Sequence, residues 1–201
     1  MAKVLVQFAH PALDKSRIHR SLIAQVRRIS DITINDLYEA YPDFDIDIER
    51  EQRLLLQHDI IVLQHPFYWY SSPAMIKQWM DLVLEHNWAY GSKGKMLAGK
   101  CLFNAISCGG SREAYSPDGH NRFTIRQLLA PFDQTAHLCR MNYLPPFAMF
   151  GTLRSNEQSI NNESILYHDL LQALATDRAS AESLKHLDYM NDFGLVTYST
   201  S

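Results

Sequence analysis

Residues 59–75, with the sequence DIIVLQHPFYWYSSPAM, give the strongest indication of the fold of this chain. It begins with a short apolar run without polar alternation, which is typical of a strand buried on both faces of a parallel sheet. Four aromatic residues follow, and Ser72 and Pro73 then predict the N-cap and the first position of a helix. The aromatic cluster is therefore predicted to lie in a loop at the carboxyl end of a central strand, where open α/β sheets bind their ligands.

The four aromatic residues of this loop are Phe67, Tyr68, Trp69 and Tyr70. Held at the end of a strand, their rings would form a flat apolar wall suited to a planar ligand. The alternative is that the rings only pack beneath the loop, as aromatic side chains commonly do. The loops after the other strands decide between these two interpretations.

The loop after the first strand, residues 4–9, has the features of an anion site. His10 and Pro11 end the strand, and apolar residues at helical spacing begin soon after Ser16. The free N–H groups and the dipole of a helix N-terminus favour a phosphate, to which the hydroxyl of Ser16 can add a donor. The loop contains no glycine, which argues against both a dinucleotide fingerprint and a P-loop. Lys15 and Arg17 lie nearby, either at the anion or simply in solvent.

Two further segments follow the predicted strand at residues 101–106. The adjacent glycines Gly109 and Gly110 permit close approach of the backbone to a ligand, although a plain turn explains them equally well. Residues 112–121 then form a polar loop that holds Tyr115 and His120. A loop of this length is typical of an active site.

The remaining pattern predicts alternating strands and helices within one domain, residues 1–201. Strands are expected at 32–37 and 141–150, the latter interrupted by two prolines, and helices at 48–57, 123–140 with a break at Pro131, and 159–175. This order predicts an α/β fold: a doubly wound, five-stranded parallel sheet of flavodoxin-like order 2-1-3-4-5 with helices on both faces. The three suspected loops then converge at the switch point. After about residue 176 the signal fades, and the tail is predicted to be an arm or disordered.

Composition excludes several classes of function. A formal net charge of −3 gives no electrostatic basis for nucleic-acid binding, and no apolar run approaches the roughly 20 residues of a membrane span. The three cysteines are widely spaced, and together with the absence of a signal peptide they indicate a cytoplasmic protein. The acids at 43, 45 and 47 invite a metal interpretation, but they more simply complement the N-terminus of the helix at 48–57. No metal is predicted.

Several strings resemble the quinone reductase branch of the flavodoxin-like proteins, and within it the bacterial ancillary reductases of glutathione-gated potassium-efflux antiporters. The strings are FAHP at 8–11, LYEAYPDFDID at 37–47, QHPFYWYSSPAMIKQWMD at 64–81, WAYG at 88–91, LAGK at 97–100, SCGGSREAYSPDG at 107–119 and LPPFAMFG at 144–151. The resemblance spans about residues 3–151 and then weakens. Each string alone is unspecific, whereas the set is specific.

The resemblance implies a flavin, FMN or alternatively FAD, and a set of residues that hold it. FMN is favoured because the short chain has no added segment for an adenosine. The implied phosphate site comprises His10, Ser16, Arg17, Ile18 and His19, and the implied ring contacts comprise Phe67, Tyr68, Trp69, Tyr70, Ser107, Cys108, Gly109 and Gly110. Relatives often carry Asn in place of His19 and Thr-Thr in place of Ser107-Cys108. Tyr115 matches a tyrosine that assists hydride transfer, whereas the partner histidine falls at Asn121, one position after the candidate His120.

The function implied is an NAD(P)H:quinone oxidoreductase that transfers two electrons by a ping-pong mechanism, as a homodimer. Backbone N–H groups near the ring would stabilise negative charge during the reaction. The resemblance also implies an antiporter as a partner, and hence a peripheral location on the cytoplasmic face of the inner membrane. A non-catalytic, flavin-binding regulatory subunit is the alternative. A flavodoxin-like electron carrier is less favoured, because a carrier rarely needs the loop that holds Tyr115.

Overall fold

A parallel sheet forms the centre of the computed structural model, which describes residues 1–193. The strands are ordered β2-β1-β3-β4-β5, and β6 also pairs with β4. Their bounds are β1 Val4–Phe8, β2 Ile32–Asp36, β3 Ile60–Pro66, β4 Cys101–Ser107, β5 Asn142–Tyr143 and β6 Phe147–Met149. Every pairing is parallel. The predicted α/β class and flavodoxin-like strand order are confirmed.

The predicted fifth strand is present as two pieces on the same edge of β4. Asn142 aligns with Cys101 at one end, and Phe147 aligns with Ala105 further along. Pro145 and Pro146 lie between the two pieces. Because proline has no N–H to donate, the ladder is interrupted there.

Helices cover both faces of this sheet and enclose two apolar layers. The helix bounds are α1 Arg17–Val26, α2 Leu37–Ala40, α3 Ile48–Gln57, α4 Ala74–Val83, α5 Ile125–Leu128, α6 Ala130–Leu138, α7 Glu157–Ala175 and α8 Ala181–Leu184. Helices α1 and α7 pack on one face, and α3, α4, α5 and α6 on the other. Strands β1 and β3 are buried throughout, as their uninterrupted apolar runs predict.

Helices α1 and α3 begin at their predicted capping residues, whereas α4 does not. Ser16 caps α1 by accepting a hydrogen bond from His19 N–H, and Asp47 caps α3 by accepting one from Arg50 N–H. Asp47 therefore serves the helix, and no group of metal-ligating side chains is found within residues 1–193. The prediction that Ser72 caps α4 is wrong: Pro73 is extended and is itself the cap residue, so Ser72 lies one position too early.

The tail after residue 176 differs from the prediction over the part that the structure describes. Helix α8 follows, and Met190 and Phe193 are buried against the body of the protein. The prediction of an arm or disordered segment is wrong for residues 177–193, because this segment packs along the open edge beside β6. Residues 194–201, to which the prediction also applied, lie outside the described residues.

Candidate active site

The loops after β1, β3 and β4 meet at the carboxyl edge of the sheet and form two adjoining clefts. The first, of about 560 Å³, is lined mainly by residues near His10 and Ser16, and we call it the anion cleft. The second, of about 430 Å³, lies beside Trp69 and Tyr115, and we call it the ring cleft. Three residues line both clefts: Phe67, Gly109 and Leu153. The two clefts therefore form one continuous surface.

The N-terminus of α1 forms one wall of the anion cleft. Ser16, Arg17 and Ile18 line it, and the first N–H groups of a helix have no partner within the helix. The guanidinium of Arg17 donates to Ser155 O at 3.2 Å, which ties α1 to the loop after β6. Lys15 adds a second cation at the rim. This wall offers both backbone donors and positive charge to an anion.

His10 faces the same cleft as a neutral donor. Its Nδ1 accepts a hydrogen bond from Ala12 N–H at 3.1 Å, so the ring proton of the neutral form is on Nε2. Burial lowers the pKa of His10, an effect that the carboxylate of Asp14 opposes. Near neutral pH the imidazole can therefore donate through Nε2.

His19, which the resemblance places in the phosphate site, lies behind the cleft. The side chain is fully buried, and its Nε2 lies 2.9 Å from Ser107 Oγ. Its backbone N–H is engaged by Ser16 Oγ, and its Nδ1 has no hydrogen-bond partner in the structure. Burial, reinforced by His10 and His65, lowers the pKa of His19 well below its ordinary value. The effect of His19 is to orient the hydroxyl of Ser107, which does line the anion cleft.

The aromatic loop is a tight turn with two bulky residues in the left-handed region. Ser71 N–H donates to Tyr68 O at 3.0 Å, and Trp69 and Tyr70 between them have φ values of 49° and 64°. Positive φ at both central positions defines a type I′ turn, which usually contains Asn-Gly. A side chain in this region costs about 1–3 kcal/mol, and such strain is concentrated at functional sites.

Some of the four aromatic rings are packed and others are exposed. Packing beneath the loop therefore describes part of the cluster, and an exposed aromatic wall describes the rest. Phe67 is buried and contacts Tyr115 edge to face, with ring centroids 6.1 Å apart. Trp69 is 93% exposed, and Tyr68 and Tyr70 are about half exposed. Within residues 1–193 the N–H groups of Trp69 and Tyr70 donate to no protein acceptor. The turn therefore presents both aromatic faces and free donors.

The glycines after β4 keep the ring cleft open. A Cβ on Gly110 would lie 3.1 Å from the ring of Tyr115, and one on Gly109 would lie 3.4 Å from Leu153. Gly110 is the more demanding position, because a methyl group there would press on a packed ring. The close approach of chain segments, and not only a turn, explains this glycine.

Cys108, a predicted ring contact, does not line either cleft. The residue is fully buried, and its N–H donates to Met149 O at 2.7 Å. Its carbonyl accepts from the N–H and the hydroxyl of Thr152 at 3.1 and 3.0 Å. With both backbone groups engaged, Cys108 joins β4 to the loop after β6. Burial raises the pKa of its thiol, which faces Tyr115.

Tyr115 and His120 both line the ring cleft. The ring of Tyr115 packs between Phe67 and Phe150, and burial together with Cys108 and Tyr70 raises the pKa of Tyr115 to about 12. Its hydroxyl therefore stays protonated at neutral pH and can act as a donor. His120 is exposed beside Asn121, which accepts a hydrogen bond from the Tyr70 hydroxyl at 3.3 Å.

Sequence reasoning missed the loop after β6. Leu153 is 84% exposed and lines both clefts, and Thr152 lines the anion cleft. The predicted strand order contains a signal that could have revealed this loop, because the last strand neighbours β4 and its carboxyl end must reach the same edge. The left-handed Gly151, with φ of 64°, turns the chain there.

The residues present fit a planar, phosphate-bearing cofactor. The anion cleft supplies a helix N-terminus, hydroxyls and a neutral imidazole donor, and the ring cleft supplies aromatic faces and unused N–H groups. This is the class of site that flavodoxin-like sheets form at their switch point.

Comparison with known proteins agrees with this class. A family model described as "Flavodoxin-like fold" matches residues 2–171. An NAD(P)H oxidoreductase of Bacillus subtilis, YrkL, is 44% identical over 85% of this chain and 98% of its own. The potassium-efflux ancillary protein KefG of Pectobacterium carotovorum is 41% identical over 84% of this chain and 92% of its own.

A solved structure shows the same similarity. General stress protein 14 of Treponema denticola, in complex with FMN, superposes with a TM-score of 0.82 at 38% identity, covering 86% of this chain and 99% of its own. The chain therefore belongs to the flavodoxin-like NAD(P)H:quinone oxidoreductase family, and its resemblance to the ancillary reductases of glutathione-gated potassium-efflux antiporters is confirmed. Among residues 1–193, no helix has both the length and the apolar character to cross a membrane.

Proposed function

We propose that this chain is an FMN-dependent NAD(P)H:quinone oxidoreductase that transfers hydride equivalents by a two-electron, ping-pong mechanism. The strained Trp69–Tyr70 turn carries the proposal, because it holds exposed rings and free N–H groups at one end of a cleft that begins at a helix N-terminus. The FMN bound to general stress protein 14 supports the choice of flavin. FAD is the alternative flavin.

In the anion cleft, the chain would bind the flavin phosphate. The N–H groups of Arg17 and Ile18 face it at the start of α1, and the guanidinium of Arg17 supplies charge. His10 donates from Nε2 without adding charge, and Ser107 donates its hydroxyl with His19 behind it. These donors would hold the phosphate end of the cofactor and leave the adjoining ring cleft for its ring.

In the ring cleft, the bound flavin supplies the hydride chemistry and the chain supplies position and electrostatics. The N–H groups of Trp69 and Tyr70, with those of Gly109 and Gly110, would stabilise negative charge that develops on the ring. Tyr115 contributes a protonated hydroxyl, and His120 lies where it can exchange a proton with the acceptor. In the proposed ping-pong mechanism, NAD(P)H and the quinone would occupy this cleft in turn.

A regulatory role is the second candidate function, and the similarity to KefG favours it. In this role the flavin-bound protein would act as a homodimer on the cytoplasmic side of a potassium-efflux antiporter, and turnover would be incidental. The two roles can coexist in one protein. A Tyr115→Phe variant that no longer reduces quinone but still activates transport would assign the physiological role to binding.

The first test is a visible absorption spectrum of the purified protein and identification of the chromophore released on denaturation. Flavin bands that are bleached by NAD(P)H and restored by a quinone are expected, with FMN as the released flavin. A colourless protein that takes up neither FMN nor FAD would rule out the proposal.

A second test isolates the anion cleft by comparing FMN with riboflavin, which lacks the phosphate. Arg17→Gln is expected to weaken FMN binding about tenfold and to leave riboflavin binding unchanged. Arg28→Gln, at the far end of α1 and paired with Gln25, is the matched control. Equal losses for the two ligands would mean that Arg17 does not bind the phosphate.

A further inference from the structure

The segment 177–193, which we call the C-terminal strap, lies beyond the region that defines the family. The family model ends at residue 171, whereas the strap contains α8 and a final turn at Met190–Asp192. The strap is nevertheless anchored to the body, since Tyr189, Met190 and Phe193 are all buried. A built structural element outside the shared family core calls for a reason in this chain.

The strap closes the open edge of the sheet beside β6. Met190 N–H donates to Pro146 O at 2.9 Å, and Asn191 Oδ1 accepts from Ala148 N–H at 2.8 Å. Asn191 Nδ2 in turn donates to Glu163 on α7 at 2.9 Å. Backbone groups of an edge strand that would otherwise face solvent are thus satisfied by the strap.

The strap also reaches both layers of the core. Tyr189 packs in the layer that contains Tyr115 and Cys108, whereas Met190 and Phe193 pack in the opposite layer with α7. Consecutive side chains therefore straddle the edge of the sheet. This arrangement makes it possible to disturb one layer and spare the other with single substitutions.

From Tyr189, a chain of contacts leads to the ring cleft. The guanidinium of Arg112 lies 4.6 Å from the centre of the Tyr189 ring, and Arg112 Nη2 lies 3.6 Å from Asp192 Oδ2. On its other side, the Tyr189 ring meets Phe150 edge to face at 5.3 Å, and Phe150 lies 6.1 Å from the Tyr115 ring.

The backbone adds a second connection to Tyr115. The N–H of Tyr115 donates to Arg112 O at 3.1 Å. Arg112, which the strap contacts, therefore also begins the turn that carries Tyr115. Asn121 N–H donates to Ala114 O at 2.9 Å and closes the loop from its other end. Tyr115 is therefore supported through Phe150 behind its ring and through Arg112 along its backbone.

We propose that the C-terminal strap is a positioning device for loop 109–123, with Tyr189 and Arg112 as the positioning residues for Tyr115. The strap touches neither cleft, so its effect is on the order of the loop and not on ligand contact. The kinetic part of this inference rests on the proposed function. The structural part does not, because loop order can be measured without turnover.

The experiment compares three variants of the full chain by amide hydrogen exchange of residues 112–122, FMN affinity and the stopped-flow rate of flavin reduction by NAD(P)H. Tyr189→Ala removes the ring beneath Arg112 and beside Phe150, and Tyr189→Phe retains that ring. Met190→Ala is the matched control, because it removes a buried side chain of the same strap from the opposite layer. Thermal midpoints show whether the two alanine variants lose comparable stability.

Tyr189→Ala is expected to speed exchange in 112–122 at least tenfold and to slow flavin reduction about tenfold, with the FMN affinity within threefold of wild type. Tyr189→Phe should restore both, and Met190→Ala should change neither beyond its effect on stability. Equal effects of the two alanine variants, or none from Tyr189→Ala, would overturn the proposal. If Tyr189→Ala does not fold, Arg112→Gln replaces it, because this change removes the cation–π and ionic contacts without leaving a cavity. The results expected of Tyr189→Ala, and those that would overturn the proposal, then apply to Arg112→Gln.

The two proposals fail in different ways. If the wild-type protein neither binds flavin nor is reduced, the proposed function fails, and the exchange rates still decide whether the strap orders the loop. If the wild-type protein is an active reductase and loop exchange is indifferent to Tyr189, the strap inference fails alone.

Discussion

Two polar regions of this molecule differ in how their hydrogen-bond donors are used. Around Glu51, on the α3 side of the sheet, a fully buried carboxylate accepts hydrogen bonds from the five side chains of Gln7, Asn35, Tyr41, Arg50 and Trp79. At the candidate active site, the Trp69–Tyr70 turn leaves donors unused and His19 keeps a buried nitrogen without a partner. In the first region the hydrogen-bond donors are used within the protein, whereas in the second they remain available to a ligand.

This difference separates polar residues that stabilise the fold from polar residues that can hold a ligand. A buried carboxylate is tolerated only when it is paired and fully hydrogen-bonded, so the Glu51 cluster contributes to one specific packing of β1, β2, α3 and α4. The backbone strain of the Trp69–Tyr70 turn has a cost that ligand binding can offset, and the exposed N–H groups of the turn are free to donate to that ligand. Four predictions test this contrast.

The largest effect is expected at Glu51. Glu51→Ala removes the buried acceptor that five donors share, among them Arg50, so we expect a loss of about 3–5 kcal/mol in the free energy of unfolding. Denaturant unfolding measures it. Glu49→Ala, an exposed carboxylate on the same helix paired only with Arg53, should change stability by less than about 0.5 kcal/mol. Similar losses for both would show that the Glu51 cluster has no special role.

The next effect is the acid sensitivity that His65 confers. Its Nδ1–H donates to Pro66 O, its Nε2 accepts from Asn104, and Tyr143 completes the network by donating to Asn104 Oδ1. Burial lowers the pKa of His65 to about 4, below the unfolded value of about 6.5. The unfolded chain therefore binds more protons between these two values. The contribution of neutral His65 to the free energy of unfolding is fully present above pH 6.5. It is lost as the pH falls toward 4, and the total loss is about 3 kcal/mol.

The measurement is the free energy of unfolding at several pH values between 7 and 4. His65→Gln should reduce the slope by up to about 1.4 kcal/mol per pH unit, and His186→Gln, on the surface, should leave it unchanged. His10 and His19 also have lowered pKa values and will retain part of the slope in both variants. A variant of His65 with the full wild-type slope would contradict the assignment.

The third effect is on chemistry and tests whether the ring cleft uses its donors as proposed. Tyr115→Phe keeps the ring between Phe67 and Phe150 and removes only the hydroxyl. Flavin reduction should slow roughly ten- to a thousandfold, as for other donors aimed at developing charge, with little change in stability. Stopped-flow reduction at saturating NAD(P)H measures it, and Tyr143→Phe, whose hydroxyl bonds Asn104 away from both clefts, is the control. An unchanged rate would remove Tyr115 from the mechanism.

The contrast also explains what could be predicted from the sequence. The apolar runs of β1 and β3 and the helix at 48–57 depend on local patterns, so the strand order followed from them, and helix α3 has the predicted bounds. Which side chains face a ligand depends on partners far along the chain. Cys108 is buried because Met149 and Thr152 engage its backbone, and no local pattern reveals that pairing.

The Glu51 cluster and the strap were missed for the same reason. Glu51 sits in an ordinary polar helix sequence, and three of its five donors, Gln7, Asn35 and Trp79, come from other strands and helices of the fold. The packing of residues 177–193 depends on distant partners, since Asn191 accepts its hydrogen bond from the backbone of Ala148 on the edge strand. The turn at Trp69 and Tyr70 was predicted to be a loop but not a type I′ turn, because Trp-Tyr is the opposite of the Asn-Gly that favours it.

The smallest effect is the most direct test of the contrast, because stability and function should move in opposite directions. Trp69 is 93% exposed with φ of 49°, and Asn tolerates this region far better than Trp. Trp69→Asn should therefore raise the free energy of unfolding by about 0.5–1 kcal/mol while it weakens FMN binding or slows flavin reduction. Arg122→Asn, also exposed and left-handed but outside the lining of both clefts, should gain similar stability and leave the flavin unaffected. If Trp69→Asn gains stability and loses no function, the strain at this turn does not serve the ligand, and the distinction between the two polar regions would rest on the unused N–H groups alone.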